Sequence, residues 1–281
     1  MTSRYEHSAT RVFYFCLRRR LTLQLTLPKI ALMNASLYLF FSFESGKPLK
    51  LLEEEHQRYI ISAVNKHKEA TILMINPLLS TVRTLIGETS ESDHQAGLNK
   101  LNWFEAQRII LAVIFCDFKE AVHLGRIFQE NPYEGYDMAL LYLFIGIANV
   151  ALFKVTGMRN RRLCITARQC LKKIDRVCPS TTDYCLAKLT LLQAEVSSLS
   201  WRRHVKTVRK YLIAIALADS SNNFFEKAVA YERYARYLAE RGDMSSSLSQ
   251  LRLACSSYQE WNAYRKVEML QEDIRKIALV S

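Results

Sequence analysis

From residue 99 onward the apolar positions fall at helical spacing in nine segments: 100–115, 118–130, 134–153, 158–177, 181–199, 203–219, 223–240, 244–258 and 261–279. Two to four polar or Gly/Pro residues separate each segment from the next. Connections this short set neighbouring helices antiparallel. Further upstream, after the stop-and-turn signal Gly46-Lys47-Pro48, residues Leu51, Leu52, Tyr59, Val64 and Ile72 suit one long amphipathic helix that Pro77 ends or kinks. The stretch from Gly87 to Leu98 is the most loop-like in the chain. Ahead of all this, an arginine cluster (Arg18, Arg19, Arg20) precedes an apolar stretch that Pro28 and Lys29 interrupt. The run left over, Ile30 to Phe43, has 14 residues. As a helix it reaches about 21 Å against a hydrocarbon core of about 30 Å. A buried first helix is expected there, and a membrane partner is not.

The last hundred residues repeat. Ala194 and Ala235 lie 41 apart, and Ala214 and Ala254 lie 40 apart. Small residues of this kind belong where helices approach closely, with Tyr211, Leu217, Tyr234, Tyr258 and Trp261 filling the layers between them. A step near 40 exceeds the tetratricopeptide step of about 34, so the expected architecture is all-α and TPR-like, an antiparallel helix-pair solenoid. The domain plan is a basic N-terminal arm over 1–30, N-terminal helices and a loop over 31–98, and TPR-like repeats over 99–281.

Composition agrees with the pattern. The 281 residues include 8 Gly and 5 Pro, too few for the turns of a sandwich or barrel, and an all-β fold is excluded. Hydrophobic residues make up 49% and charged residues 23%, values of a globular chain. The net charge of +12 is uneven: +5 over 1–30, −4 over 31–153, +11 over 154–212 and 0 over 213–281. Of the seven cysteines, none forms a C-x-x-C pair or stands at zinc-finger spacing from a histidine. Neither a disulfide framework nor a metal site is expected, and reduced, cytoplasmic cysteines are.

Several stretches resemble a known family. They are "SFESGKPLKLLEE", "HKEATILMINPLLSTVRTLIGE", "FCDFKEA", "YLIAIALA" and, above all, "KAVAYERYARYLAERGDMSSSLSQLRLACSSYQEWNAYRKVEML" from Lys227 to Leu270. They look like the TPR-like helical region of large multi-domain signalling ATPases, AAA-type ATPase/kinase proteins related to hybrid and multi-sensor histidine kinases. The residues that carry the resemblance are Phe115, Asp117, Ala121, Tyr211, Ala214, Ala230, Glu232, Ala235, Gly242, Asp243, Ala254, Tyr258, Trp261, Ala263 and Lys266. In two turns the family's glycine is replaced, by Asn262 and by Cys116. Asn accepts the left-handed conformation and Cys does so poorly, so the first turn is expected intact and the second remodelled. Nothing in the chain matches the family's phosphate-binding loop, kinase loops or phosphoacceptor histidine. The resemblance therefore implies the helical portion alone.

No phosphate-binding, dinucleotide, zinc-protease or nucleophile-elbow motif occurs. Two Glu-x-x-His triplets, Glu53/His56 and Glu120/His123, have the residue types of a di-iron carboxylate bundle. The accompanying glutamates are missing, and solvated faces explain both triplets. The basic stretch 154–210 offers a docking surface through Arg161, Arg162, Lys172, Lys173, Arg202, Arg203 and Lys206. No polar position recurs at the step of 40, which argues against base-by-base nucleic-acid reading. Asp243 is expected to cap the helix that starts near Met244, and Tyr231, Tyr234, Tyr237, Tyr258, Trp261 and Tyr264 are expected to pack between helices. The sequence thus suggests a non-catalytic scaffold, needing no cofactor, that binds a peptide segment or neighbouring domain in signal transduction. A nucleic-acid-binding repeat using the basic stretch is the alternative, and a metal-dependent helical enzyme is the third class.

Overall fold

The computed structural model describes residues 27–64, 69–88, 102–130, 138–177 and 183–279. The protein is all-α. Among the described residues there are twelve α-helices: α1 (Leu27–Glu44), α2 (Leu49–Val64), α3 (Glu69–Ile86), α4 (Asn102–Ile114), α5 (Phe118–Glu130), α6 (Met138–Val155), α7 (Arg161–Val177), α8 (Asp183–Ser198), α9 (His204–Ser220), α10 (Phe224–Glu240), α11 (Met244–Glu260) and α12 (Tyr264–Ala278). A 3-10 turn, Trp201–Arg203, leads into α9. Most of the basic arm, and the loop beyond Glu88, lie outside the described residues.

The upstream expectation needs correcting. The segment taken as one helix is two, α2 and α3, and Pro77 lies inside α3. A proline removes one bond of the helical ladder and in isolation breaks the helix. Here Leu78, Leu79, Val82 and Leu85 are buried immediately after it, and their packing holds the following turns in register.

The C-terminal helices keep a strict step. Helices α9 to α12 begin at residues 204, 224, 244 and 264. One turn chemistry sets that step. At Asn222, Gly242 and Asn262 the backbone turns left-handed, and the next amide reaches back five residues: Asn223 N to Ala218 O (3.0 Å), Asp243 N to Leu238 O (3.0 Å) and Ala263 N to Tyr258 O (2.9 Å). These bonds close the carbonyls left open at a helix end. At the first two turns the residue that follows caps the next helix, Asn223 accepting from Glu226 N and Asp243 from Ser246 N, each at 3.0 Å; Ala263, at the third, makes no side-chain cap.

The same motif ends α4, against the expectation of a remodelled turn. Cys116 has φ 63°, Asp117 N bonds Ala112 O at 2.7 Å, and Asp117 caps α5 through Glu120 N at 3.1 Å. The turn is held from both sides, which offsets the cost of about 1–2 kcal/mol for a non-glycine residue in that conformation.

Helix α6 runs through the core. It is long and apolar enough to cross a membrane by length and composition, yet 78% of it is buried inside the protein, including Leu140, Phe144, Ile147 and Ala148. Ala194, Ala214, Ala235 and Ala254 are all buried at helix contacts, as are Tyr211, Tyr234, Tyr237, Tyr258 and Trp261.

Helix α1 meets the C-terminal helices in this core. Phe43, at the end of α1, sits 5.5 Å from the ring of Phe225 and 5.3 Å from that of Trp261. Phe225 stacks on Trp261 at 4.4 Å and on Phe144 at 5.7 Å. The backbone seals the contact: Leu49 N donates to Trp261 O (2.9 Å), and Asn223 Nδ2 donates to Glu44 O (2.8 Å). Helix α3 also packs on α12. The aromatic surface of the C-terminal helices is thus filled by the chain's own α1–α2 turn.

Candidate functional site

Helix α9 runs back along α8, pinned by Tyr211 OH donating to Glu195 Oε1 at 2.8 Å and by Lys210 Nζ donating to Gln193 Oε1. An open groove of about 770 Å³ lies along the pair. One wall carries Arg202 and Arg203 from the 3-10 turn and His204, Val205, Lys206, Arg209, Lys210 and Ile213 from α9, with Lys206, Lys210 and Ile213 spaced by three or four residues along the helix; Thr190 and Gln193 form the α8 wall. Among the described residues no carboxylate lines it. Among the described residues, Arg202, Arg203, Lys206, Arg209 and Lys210 have no ion-pair partner. Burial pushes the Lys210 ammonium below its ordinary range, and the nearby charges of Lys206 and Arg203 push it the same way. Val205 is 80% exposed, an unusual position for a valine. At the rim, Trp201 is exposed under the guanidinium of Arg241, 3.6 Å from its ring centre.

The basic stretch 154–210 is therefore not one face. The structure gathers Arg202, Arg203 and Lys206 in the groove, while Arg161, Arg162 and Lys172 are exposed on α7 and Lys173 lies over the ring of Tyr142 at 4.9 Å. Helix α7 packs on α6 and α8, and α9 on α8 and α10. Lys154 is tied to Glu240 at 2.7 Å, and Lys188 is fully buried against Glu226 at 2.6 Å. Arg209 and Lys210 complete the groove and were missed as site residues. Their spacing from Arg202, Arg203 and Lys206 was the readable signal.

The residues that carry the family resemblance sit in the interior. Glu232, buried in α10, accepts from Lys266 Nζ of α12 at 2.8 Å and from Tyr258 OH of α11 at 3.0 Å. Lys266 also donates to Ile114 O, and Cys116 Sγ lies 3.8 Å from both Glu232 Oε1 and Lys266 Nζ. Three distant stretches thus converge on one ion pair. Burial alone would raise the Glu232 carboxyl, but Lys266, with Arg236 and Arg233, outweighs it and holds the group below its usual range. One helix away, Arg233 grips Glu195 with two bonds of 2.9 Å; burial would raise the Glu195 carboxyl too, and Arg233 reverses that shift. Ala121, Ala214, Ala230, Ala235, Ala254 and Ala263 are buried packing positions, while Gly242 and Asp243 form a turn and cap. Phe115 is half-buried beneath the Arg265 guanidinium. This network locks helices together and presents no open position to a substrate.

The metal candidates are not brought together. Glu53 is bonded to Arg83 at 2.8 Å, and Glu120 to Arg108. His56 is fully buried with Nδ1 on Leu52 O at 2.8 Å, and His123 is exposed on α5. Among the described residues no three His, Cys, Asp or Glu side chains cluster as metal ligands would. The cysteine expectation also needs correction. Cys116, Cys164, Cys170 and Cys255 are free thiols, but Cys185 is disulfide-bonded, its partner lying outside the described residues. A bridge requires two Cα atoms within about 7 Å with their Cβ atoms turned toward each other, which spacing along the chain does not reveal.

Comparison with family models, with curated proteins and with solved structures gives no match.

Proposed function

We propose that this protein is a non-catalytic scaffold, a TPR-like antiparallel helix-pair solenoid closed on itself by its first helices, that docks a segment of a signalling protein. The observation that carries this reading is the α8–α9 groove: five cations without counter-charges beside exposed Val205 and Ile213, a mixture suited to an acidic polypeptide with apolar residues. The regular helical step supports the solenoid, and the resemblance to the helical region of signalling ATPases supports the setting. A photo-crosslinking amino acid at Val205 tests it in cells. Adducts are expected on protein, within acidic stretches, and to diminish with Lys206→Glu. Adducts removed by nuclease would replace this reading with nucleic-acid binding.

A further inference from the structure

The cations of the groove are more concentrated than a single carboxylate requires. Arg203, the last residue of the 3-10 turn, and Lys206 and Lys210 on α9 stand at i, i+3 and i+7, so they rise along one side of the groove within about 10 Å. All three line the same concavity, together with the neutral groups of Thr190 and Gln193. Gln193 accepts from Lys210 through Oε1, and its amide NH2 retains its two donors. A carboxylate has one negative charge and two oxygens. A phosphate monoester carries between about −1.5 and −2 at neutral pH on three oxygens, and matches three cations plus neutral donors better.

Two further observations narrow the source. The exposed cations Arg161, Arg162 and Lys172 are on α7, and none of them lines the groove, so among the described residues its positive charge comes from 202–210 alone. Val205 and Ile213 bracket the cations with exposed apolar surface that a peptide's side chains can cover.

We infer that the α8–α9 groove is a phosphate-recognition site for a phosphorylated serine or threonine in a partner protein. The inference rests on the scaffold reading above and narrows it. Its test uses the full chain and degenerate 15-residue peptide pools with phosphoserine, serine or glutamate fixed at the centre, read by fluorescence anisotropy. The phosphoserine pool is expected to bind at least about tenfold tighter than the glutamate pool, the worth of one added charge-assisted hydrogen bond. Inorganic phosphate should compete. Arg203→Gln and Lys206→Gln should each remove that preference while helical content and melting stay unchanged, and Lys172→Gln should leave it intact. Equal binding of the phosphoserine and glutamate pools would overturn phosphate recognition and leave the scaffold reading standing. Binding of a single-stranded RNA 12-mer with no binding of any pool would overturn both.

Discussion

Glu232 shows what a buried charge demands of its surroundings. Its carboxylate is stabilised by Lys266, Tyr258 and, at 3.6 Å, Arg236, so each partner removed leaves a charge out of water and under-compensated. Lys266→Met is expected to cost about 3–5 kcal/mol in urea unfolding, whereas the double change Lys266→Met with Glu232→Leu should recover more than half of it. A double mutant as unstable as Lys266→Met alone would place the cost in packing. His56 makes the opposite case, a titratable group kept neutral. Burial lowers it to about 4, although its backbone bond to Leu52 and the charges of Glu55 and Glu53 pull it upward. Between about pH 6.5 and 4 the unfolded chain binds a proton that the folded chain refuses, so stability is complete above that window and falls as pH drops through it. From pH 7 to pH 5 the loss should be about 2 kcal/mol greater in the wild type than in His56→Leu. Both residues were visible in the sequence, and neither role was. Glu232 and Lys266 were marked by resemblance without a hint that they touch, and His56 was weighed as a metal ligand.

At the level of elements, the sequence pattern was close to sufficient. The segments expected at 203–219, 223–240 and 244–258 fold as α9, α10 and α11, because the apolar period and, before α10 and α11, the left-handed residue ahead of the cap are local signals. Cys116 was misjudged because a propensity describes an isolated turn, whereas this one is bonded through Asp117 and faces the Lys266–Glu232 pair. Two glycines separate the local from the tertiary part of a turn. Gly242 and Gly46 both have left-handed backbones, φ 84° and 74°. A Cβ at Gly242 would meet nothing within 4 Å, while one at Gly46 would lie 2.5 Å from Asn223 Oδ1 and 2.7 Å from Phe224 N. Gly242→Ala is therefore expected to cost about 1 kcal/mol, from conformation alone. Gly46→Ala adds overpacking of about 1–3 kcal/mol and displaces the cap of α10. Thermal unfolding of the two variants side by side checks the order, and equal costs would mean that the α1–α2 turn yields freely.

At the scale of the whole molecule the decisive contact joins α1 to the C-terminal helices. An open solenoid has each repeat touching only its neighbours, and its stability is then a sum of local terms. Here Phe43 sits among Phe225, Trp261 and, through Phe225, Phe144, so helices α1, α6, α10 and the end of α11 share one aromatic core. Nothing in an apolar run says which other apolar run it will meet, which is why this closure was illegible while the helices on either side of it were not. The closure makes a distinct prediction about cooperativity. Phe43→Ala should cost about 3–5 kcal/mol, the usual range for emptying a buried aromatic site. Its effect on amide hydrogen exchange should reach α10, α11 and α12 as strongly as α1 and α2, because Leu49 N on Trp261 O and Asn223 Nδ2 on Glu44 O are lost with the same contact. Exchange that quickens only in α1 and α2 would show instead that the first helices open as a separate unit, and that the C-terminal helices stand without them.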